Sequence, residues 1–166
     1  MERTIVELEE KKLIGKSMSM SLEMDTTREL WRGFMPHRTS IPYSLDEKLY
    51  NVKVFESGFD PTLYSTSTIF RKWAAVEVES FDNGMEEMQQ LTMSGGLYAM
   101  FLHHGPASRF NETLGYIYES WLPTSGYGLD EREHFERFTE EYNPTDLEAV
   151  EEVWIPIKKL DKKKNA

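Results

Sequence analysis

The sequence predicts an α+β fold: an antiparallel sheet with helices on one face, built from duplicated βαββ units with a ligand cleft between the halves. Three observations carry this. Short runs with period-two alternation recur along the chain, and two stretches switch to helical spacing. The order strand, helix, strand, strand then occurs twice, over roughly residues 4–80 and 94–158. Residue identity between the halves is negligible, so what repeats is the pattern. Two such units packed about a pseudo-twofold axis leave a groove, a common place for ligands.

In the first half, Ile5, Val6 and Leu8 open an extended run, and Met18, Met20, Leu22 and Met24 share one face of its continuation. Gly15 reads as a bulge or bend in this single long strand. Asp25 and Thr26 are potential N-caps of a helix in which Leu30, Trp31, Phe34 and Met35 fall at helical spacing before Pro36 stops it. KLYNVKVFE (48–56) and FRKWAAVEVESF (70–81) alternate as strands, and a polar stretch through Met93 links the halves.

The second half starts with GGLYAMFLHHGP (95–106), a strand broken by Gly105-Pro106. A helix follows over 107–126, with Phe110, Leu114, Ile117 and Trp121 on one face and Pro123 and Gly126 at its end. HFERFT (134–139) is the next strand. EEVWIPIK (151–158) is the last, with Pro156 marking an edge position or the strand's exit.

Composition narrows the function classes. With 19 basic against 29 acidic residues the formal charge is −10, which disfavours direct nucleic-acid binding and suits a cationic ligand or a basic protein partner. The basic run KKLDKKK reads as a solubilising tail, with residues 159–166 lying beyond the domain. There is no cysteine, so disulfides, thiolate catalysis and cysteine zinc sites are excluded. No run approaches the roughly 18 apolar residues of a membrane span, and the expected setting is cytoplasmic. No cofactor or metal is expected. Adjacent His103 and His104 point to opposite faces of a strand, Gly95-Gly96 precedes a strand rather than a helix, and nothing resembles a nucleophile elbow. Nothing in the sequence sets an oligomeric state.

Glu136 is the leading functional candidate. It lies between Phe135 and Phe138, on the strand face shared by His134 and Phe138. A carboxylate facing inward there would lose hydration, raising its pKa, and would pair with a cation or act as a general acid/base. The alternative is an edge glutamate facing solvent or paired with Arg137 or Arg132. Tyr98, Tyr116, Tyr118, Trp121 and Trp73 are candidate pocket rings. Trp121, in phase with Ile117 and Leu114, fits a core position, whereas Tyr98 and Tyr116 are the better candidates to present a hydroxyl.

GGLYAMFLHHGP, the helix ending IYESWLPTSGY, then FERF, then EEVWIPIK stand in order across Gly95 to Lys158. Together they resemble the GyrI-like small-molecule-binding family, also known as the AraC-type or Rob-type effector-binding domain. The resemblance implies one domain over residues 1–158, two βαββ units, and a cleft for hydrophobic and often cationic molecules. It places a pocket glutamate at Glu136 and implies aromatic rings stacking on the ligand, for which the candidates here are Tyr98, Tyr116, Trp121, Phe138 and Trp73. In multidrug-sensing transcription regulators this domain is fused to a DNA-binding module. Here it takes up nearly all of the 166 residues with no helix-turn-helix region, so the expectation is a standalone effector-binding protein. Other branches imply alternatives. One is a hydrolase of cyclopropane-type electrophiles, with Glu136 as general base and Tyr98 or Tyr116 as proton partner. Another is a modulator of DNA gyrase acting by protein contact. The turn DEREH is more charged than the family pattern, which implies a polar pocket mouth.

Overall fold

The alternating runs become β-strands because their apolar side chains fall every second residue and find cover on both sides of one sheet. A computed structural model describes residues 1–60, 63–82 and 87–160. Its strands are β1 (Arg3–Leu8), β2 (Lys11–Met20), β3 (Leu49–Val54), β4 (Phe70–Val78), β5 (Gln89–Met93), β6 (Gly96–His104), β7 (Tyr127–Leu129), β8 (His134–Phe138) and β9 (Val150–Lys159). The helices are α1 (Thr27–Phe34) and α2 (Phe110–Gly115), the latter continuing through a wide π turn (Tyr116–Trp121) and a 3-10 turn (Leu122–Thr124). This is the α+β architecture that the sequence predicts.

All pairings between these strands are antiparallel, in the order β1-β6-β9-β8-β3-β4-β2-β5, with β7 also on β9. The two ends of that order meet. Leu8 pairs with Gly96 and Lys11 with Met93, so β1–β2 and β5–β6 run alongside each other in one unbroken register. The pairing therefore returns on itself, and the sheet curls into a ring. Its inside is filled by Leu13, Tyr50, Val52, Trp73, Ala75, Met93, Tyr98, Phe135 and Trp154. Outside, α1 buries Leu30 and Phe34 against Ile14, Phe70, Ala74 and Val76. The π turn after α2 buries Ile117 and Trp121 against Ala99, Phe101, Val153 and Ile155. Each of these large side chains contributes roughly 1.5–3 kcal/mol on burial.

Several elements differ from expectation for local reasons. The long first strand breaks at Glu9-Glu10, whereas Gly15 sits inside β2 opposite Ala75. What Gly15 answers is close approach: a Cβ there would lie 1.9 Å from the Ala74 carbonyl oxygen. The strand also ends at Met20, because the Ser21 hydroxyl accepts the Met24 N–H and turns the chain, leaving Leu22 and Met24 exposed. β5 lies in the stretch read as a polar link and presents Met93 to the ring interior. The second helix is composite, and through its wide turn Ile117 and Trp121 stay buried while Tyr118 reaches β8. Of the proposed charged tail, Lys159 and Leu160 are exposed and the rest lies outside the described residues. Among the described residues no helix is long and apolar enough to cross a membrane.

Candidate functional site

β8 runs between β3 and β9, in the gap between the patches covered by α1 and α2. At its centre Glu136 faces Asn51 on one side and Val153 on the other. Alternation puts Phe135 and Arg137 inside the ring and His134, Glu136 and Phe138 on the helix side. Glu136 is 7% exposed, and among the described residues its side chain makes no hydrogen bond or ion pair. Carboxylates are rarely buried without a partner, because losing hydration is costly.

Partly exposed rings surround it. On the α1 side Trp31 lies 5.3 Å from Phe138, which lies 4.8 Å from Tyr142. The Trp31 indole N–H donates to Asn51, fixing the ring over β3. On the other side Phe55 stacks on Phe59 at 4.6 Å and meets His134 edge-on at 5.3 Å. The Tyr118 hydroxyl and His134 Nδ1 share a hydrogen bond at 3.3 Å. Burial, with the Lys53 and Arg132 charges adding, pushes His134 down to about 3, so the ring stays neutral. Burial raises the Tyr118 and Tyr142 hydroxyls above the ordinary tyrosine range, and the Glu136 charge adds to both.

Two further charged groups share this face. Glu151, on β9 and 7% exposed, is pushed up to about 8 by burial and then by the Glu136 charge, against an opposing hydrogen bond with Tyr142. Lys72, on β4 and 8% exposed, is held below the usual lysine value by burial first and by Lys53 second.

The residues singled out from the sequence fall into three places. Glu136 and Phe138 sit together on the helix-side face of β8. Trp121 packs on Phe101 at 5.1 Å beneath α2, and Tyr116 lies 6.4 Å from the same ring. Trp73 and Tyr98 are inside the ring, across the sheet from Glu136. There the Tyr98 hydroxyl donates to the Glu133 carbonyl at 2.8 Å and the Arg132 guanidinium lies over its ring. Tyr98→Phe would leave that carbonyl without its donor, so the expected result is a loss of about 1–3 kcal/mol in urea unfolding.

Sequence reasoning missed Trp31, Tyr142, Glu151 and Lys72. For the last two a signal existed. Glu151 is in phase with Val153 and Ile155, and Lys72 with Ala74, Val76 and Val78, so each is a charge on an apolar strand face. Buried His103 lies between Thr113 and the Pro106 carbonyl, tying α2 to β6. Among the described residues no group of three or more His, Asp or Glu side chains is placed to hold a metal ion.

On the outer face of this curled sheet, partly covered rings around a buried carboxylate supply the apolar walls and the placed polar group from which small-ligand sites are built. The chain belongs to the GyrI-like small molecule binding domain family, whose sequence profile matches residues 1–158. No curated protein matches it. Among solved structures it is similar to SAV2435 bound to tetraphenylphosphonium, with a TM-score of 0.74 at 12% identity, covering 95% of this chain and 94% of that one. It is similar to the C-terminal domain of EcmrR, at 0.70 and 13%, covering 96% and 98%. A hydrolase from Listeria innocua is similar at 0.59 and 12%, covering 94% and 91%. At these identities the likeness establishes the fold alone.

Proposed function

We propose that this protein is an effector-binding protein that captures an aromatic or amphipathic cation in the cleft around Glu136. One observation carries the reading: a buried carboxylate without a partner among the described residues, ringed by aromatic side chains that are only partly covered. A cation there gains charge complementarity from Glu136 and ring contact from Trp31, Phe138, Tyr118 and Tyr142. Each ring over a cation is worth roughly 0.5–2 kcal/mol. A role in transcription regulation is supported by the likeness to a bacterial transcription regulation protein from Staphylococcus aureus and to EcmrR, whose structure includes a complex with DNA. Hydrolytic use of the same cleft would draw on Tyr118 or Tyr142, which lie on the Glu136 face, rather than on Tyr98.

Titration with methyltriphenylphosphonium and with neutral triphenylphosphine oxide of similar shape tests the charge. Glu136→Gln is expected to weaken the cation by about 10–100-fold, equivalent to about 1.4–2.7 kcal/mol, and the oxide hardly at all. Equal losses for the two compounds would remove charge pairing from the reading.

A further inference from the structure

Resting on that reading of the cleft, we propose that its ligand is a zwitterion: an aromatic body with its cationic end at Glu136 and an anionic end at Lys53 and Lys72. The observation is an opposed pair of like charges. Lys53 on β3 is the direct partner of Lys72 on β4. Side chains opposite each other in an antiparallel pair project to the same face, and like charges placed so destabilise the sheet. The same register puts Lys53 opposite His134 and Asn51 opposite Glu136, so both lysines share the face of Glu136.

Neither lysine is neutralised by contact. Among the described residues neither forms an ion pair with a carboxylate. Lys72 is more than nine-tenths buried, yet only one of its three donors is engaged, with the Thr27 hydroxyl at 2.8 Å. That hydroxyl donates onward to Asp25, so Asp25 reaches Lys72 through a relay and across space rather than directly. The Lys53 ammonium lies 5.4 Å over the Phe70 ring. A buried ammonium with free donors, beside a second ammonium, is matched by an acceptor-rich anion such as a carboxylate.

Geometry sets the ligand's length. Lys53 is the diagonal neighbour of Glu136 across the β3–β8 pair, and Lys72 is one strand further away. Diagonal neighbours are about 7–8 Å apart and strands about 4.8 Å, so the two lysine backbones lie roughly 7–12 Å from that of Glu136, the span over which the ligand's two charges are separated. One or two aromatic rings bridge that distance. A simple lipophilic cation would satisfy Glu136 but add a third positive charge beside two lysines with no carboxylate in ion-pair contact among the described residues. Glu136, Asp25 and Glu151 act on Lys72 only from a distance.

The test uses two probes that differ by one charge: (4-carboxyphenyl)triphenylphosphonium and its methyl ester, titrated calorimetrically at pH 7. The acid is expected to bind about tenfold more tightly than the ester, and this advantage is expected to vanish in Lys53→Met and Lys72→Met. Glu136→Gln is expected to weaken both probes alike. Lys53 is the less buried lysine, so its variant stays informative if Lys72→Met does not fold. An ester that binds as tightly as the acid, or an advantage that survives Lys53→Met, overturns the zwitterion while leaving the cation reading standing. Failure of both probes to bind, or indifference of both to Glu136→Gln, sinks the cation reading and this inference with it.

Discussion

Replacing Glu151 by Gln is expected to stabilise the protein at pH 8 and to change it little at pH 4.5. Glu151 is buried on the face that holds Glu136, and burial pushes its carboxyl from 4.5 up to about 8, with the Glu136 charge adding. The folded protein thus keeps a proton that the unfolded chain releases above pH 4.5. When the native state binds more protons, stability falls as pH rises, by up to about 1.4 kcal/mol per pH unit. The loss accumulates between pH 4.5 and 8, on the order of 5 kcal/mol. Gln has no proton to lose and keeps a hydrogen-bonding partner for Tyr142, so the variant escapes it. His134 acts with the opposite sign. Its folded value of about 3 lies below the ordinary 6.5, so the unfolded chain takes up a proton first and stability is lost as pH falls from 6.5 towards 3. Between 4.5 and 6.5 the two slopes oppose each other. The parent should show a stability plateau there, declining on both sides; in Glu151→Gln the alkaline decline should disappear and the plateau should become a rise with pH up to about 6.5. Urea unfolding free energies across pH 4–8 decide this; parallel curves for the two proteins would contradict the assignment.

The same carboxylate shows what was legible in the sequence. Alternation placed β3, β4, β6, β8 and β9 but not β5 or β7, and it flagged Glu136 as a charge beside apolar neighbours. It also held the signal for Glu151 and Lys72, which lie in phase with aliphatic residues on their own strands. What alternation cannot give is which side of a strand opens to a ligand when both sides are covered. Tyr98 and Tyr118 look alike in the sequence, yet the first is locked inside the ring and the second faces the cleft. Ring closure itself leaves no local trace. Leu8 meets Gly96, and Gly15 meets Ala75 and Gln89, through contacts far apart along the chain. The rings on the α1 side were hidden for the same reason, since Trp31 reaches the cleft only because α1 packs beside β8.

Gly15→Ala is expected to destabilise the protein by about 3 kcal/mol or more, although it adds a single methyl group. A Cβ at Gly15 would meet the Ala74 carbonyl oxygen at 1.9 Å, the Ala75 Cα at 2.7 Å and the Ala74 carbonyl carbon at 2.8 Å. All three are backbone atoms, so no rotamer change relieves the contact. β4 is paired on both edges, with β2 and with β3, and moving it breaks a ladder whichever way it shifts. The damage also reaches the cleft, because β4 carries Lys72 directly opposite Lys53. Gly33 in α1 supplies the control. A Cβ there meets nothing within 4 Å, so Gly33→Ala is expected to be neutral or to stabilise by about 0.5–1 kcal/mol through helix propensity. Both variants differ from the parent by the same methyl group, so a large gap between their urea midpoints isolates the packing of β2 on β4. If Gly15→Ala instead unfolded at the parental midpoint, the two strands could not approach as closely as the ring requires, and the shared floor that places Glu136, Lys53 and Lys72 on one face would have to be redrawn.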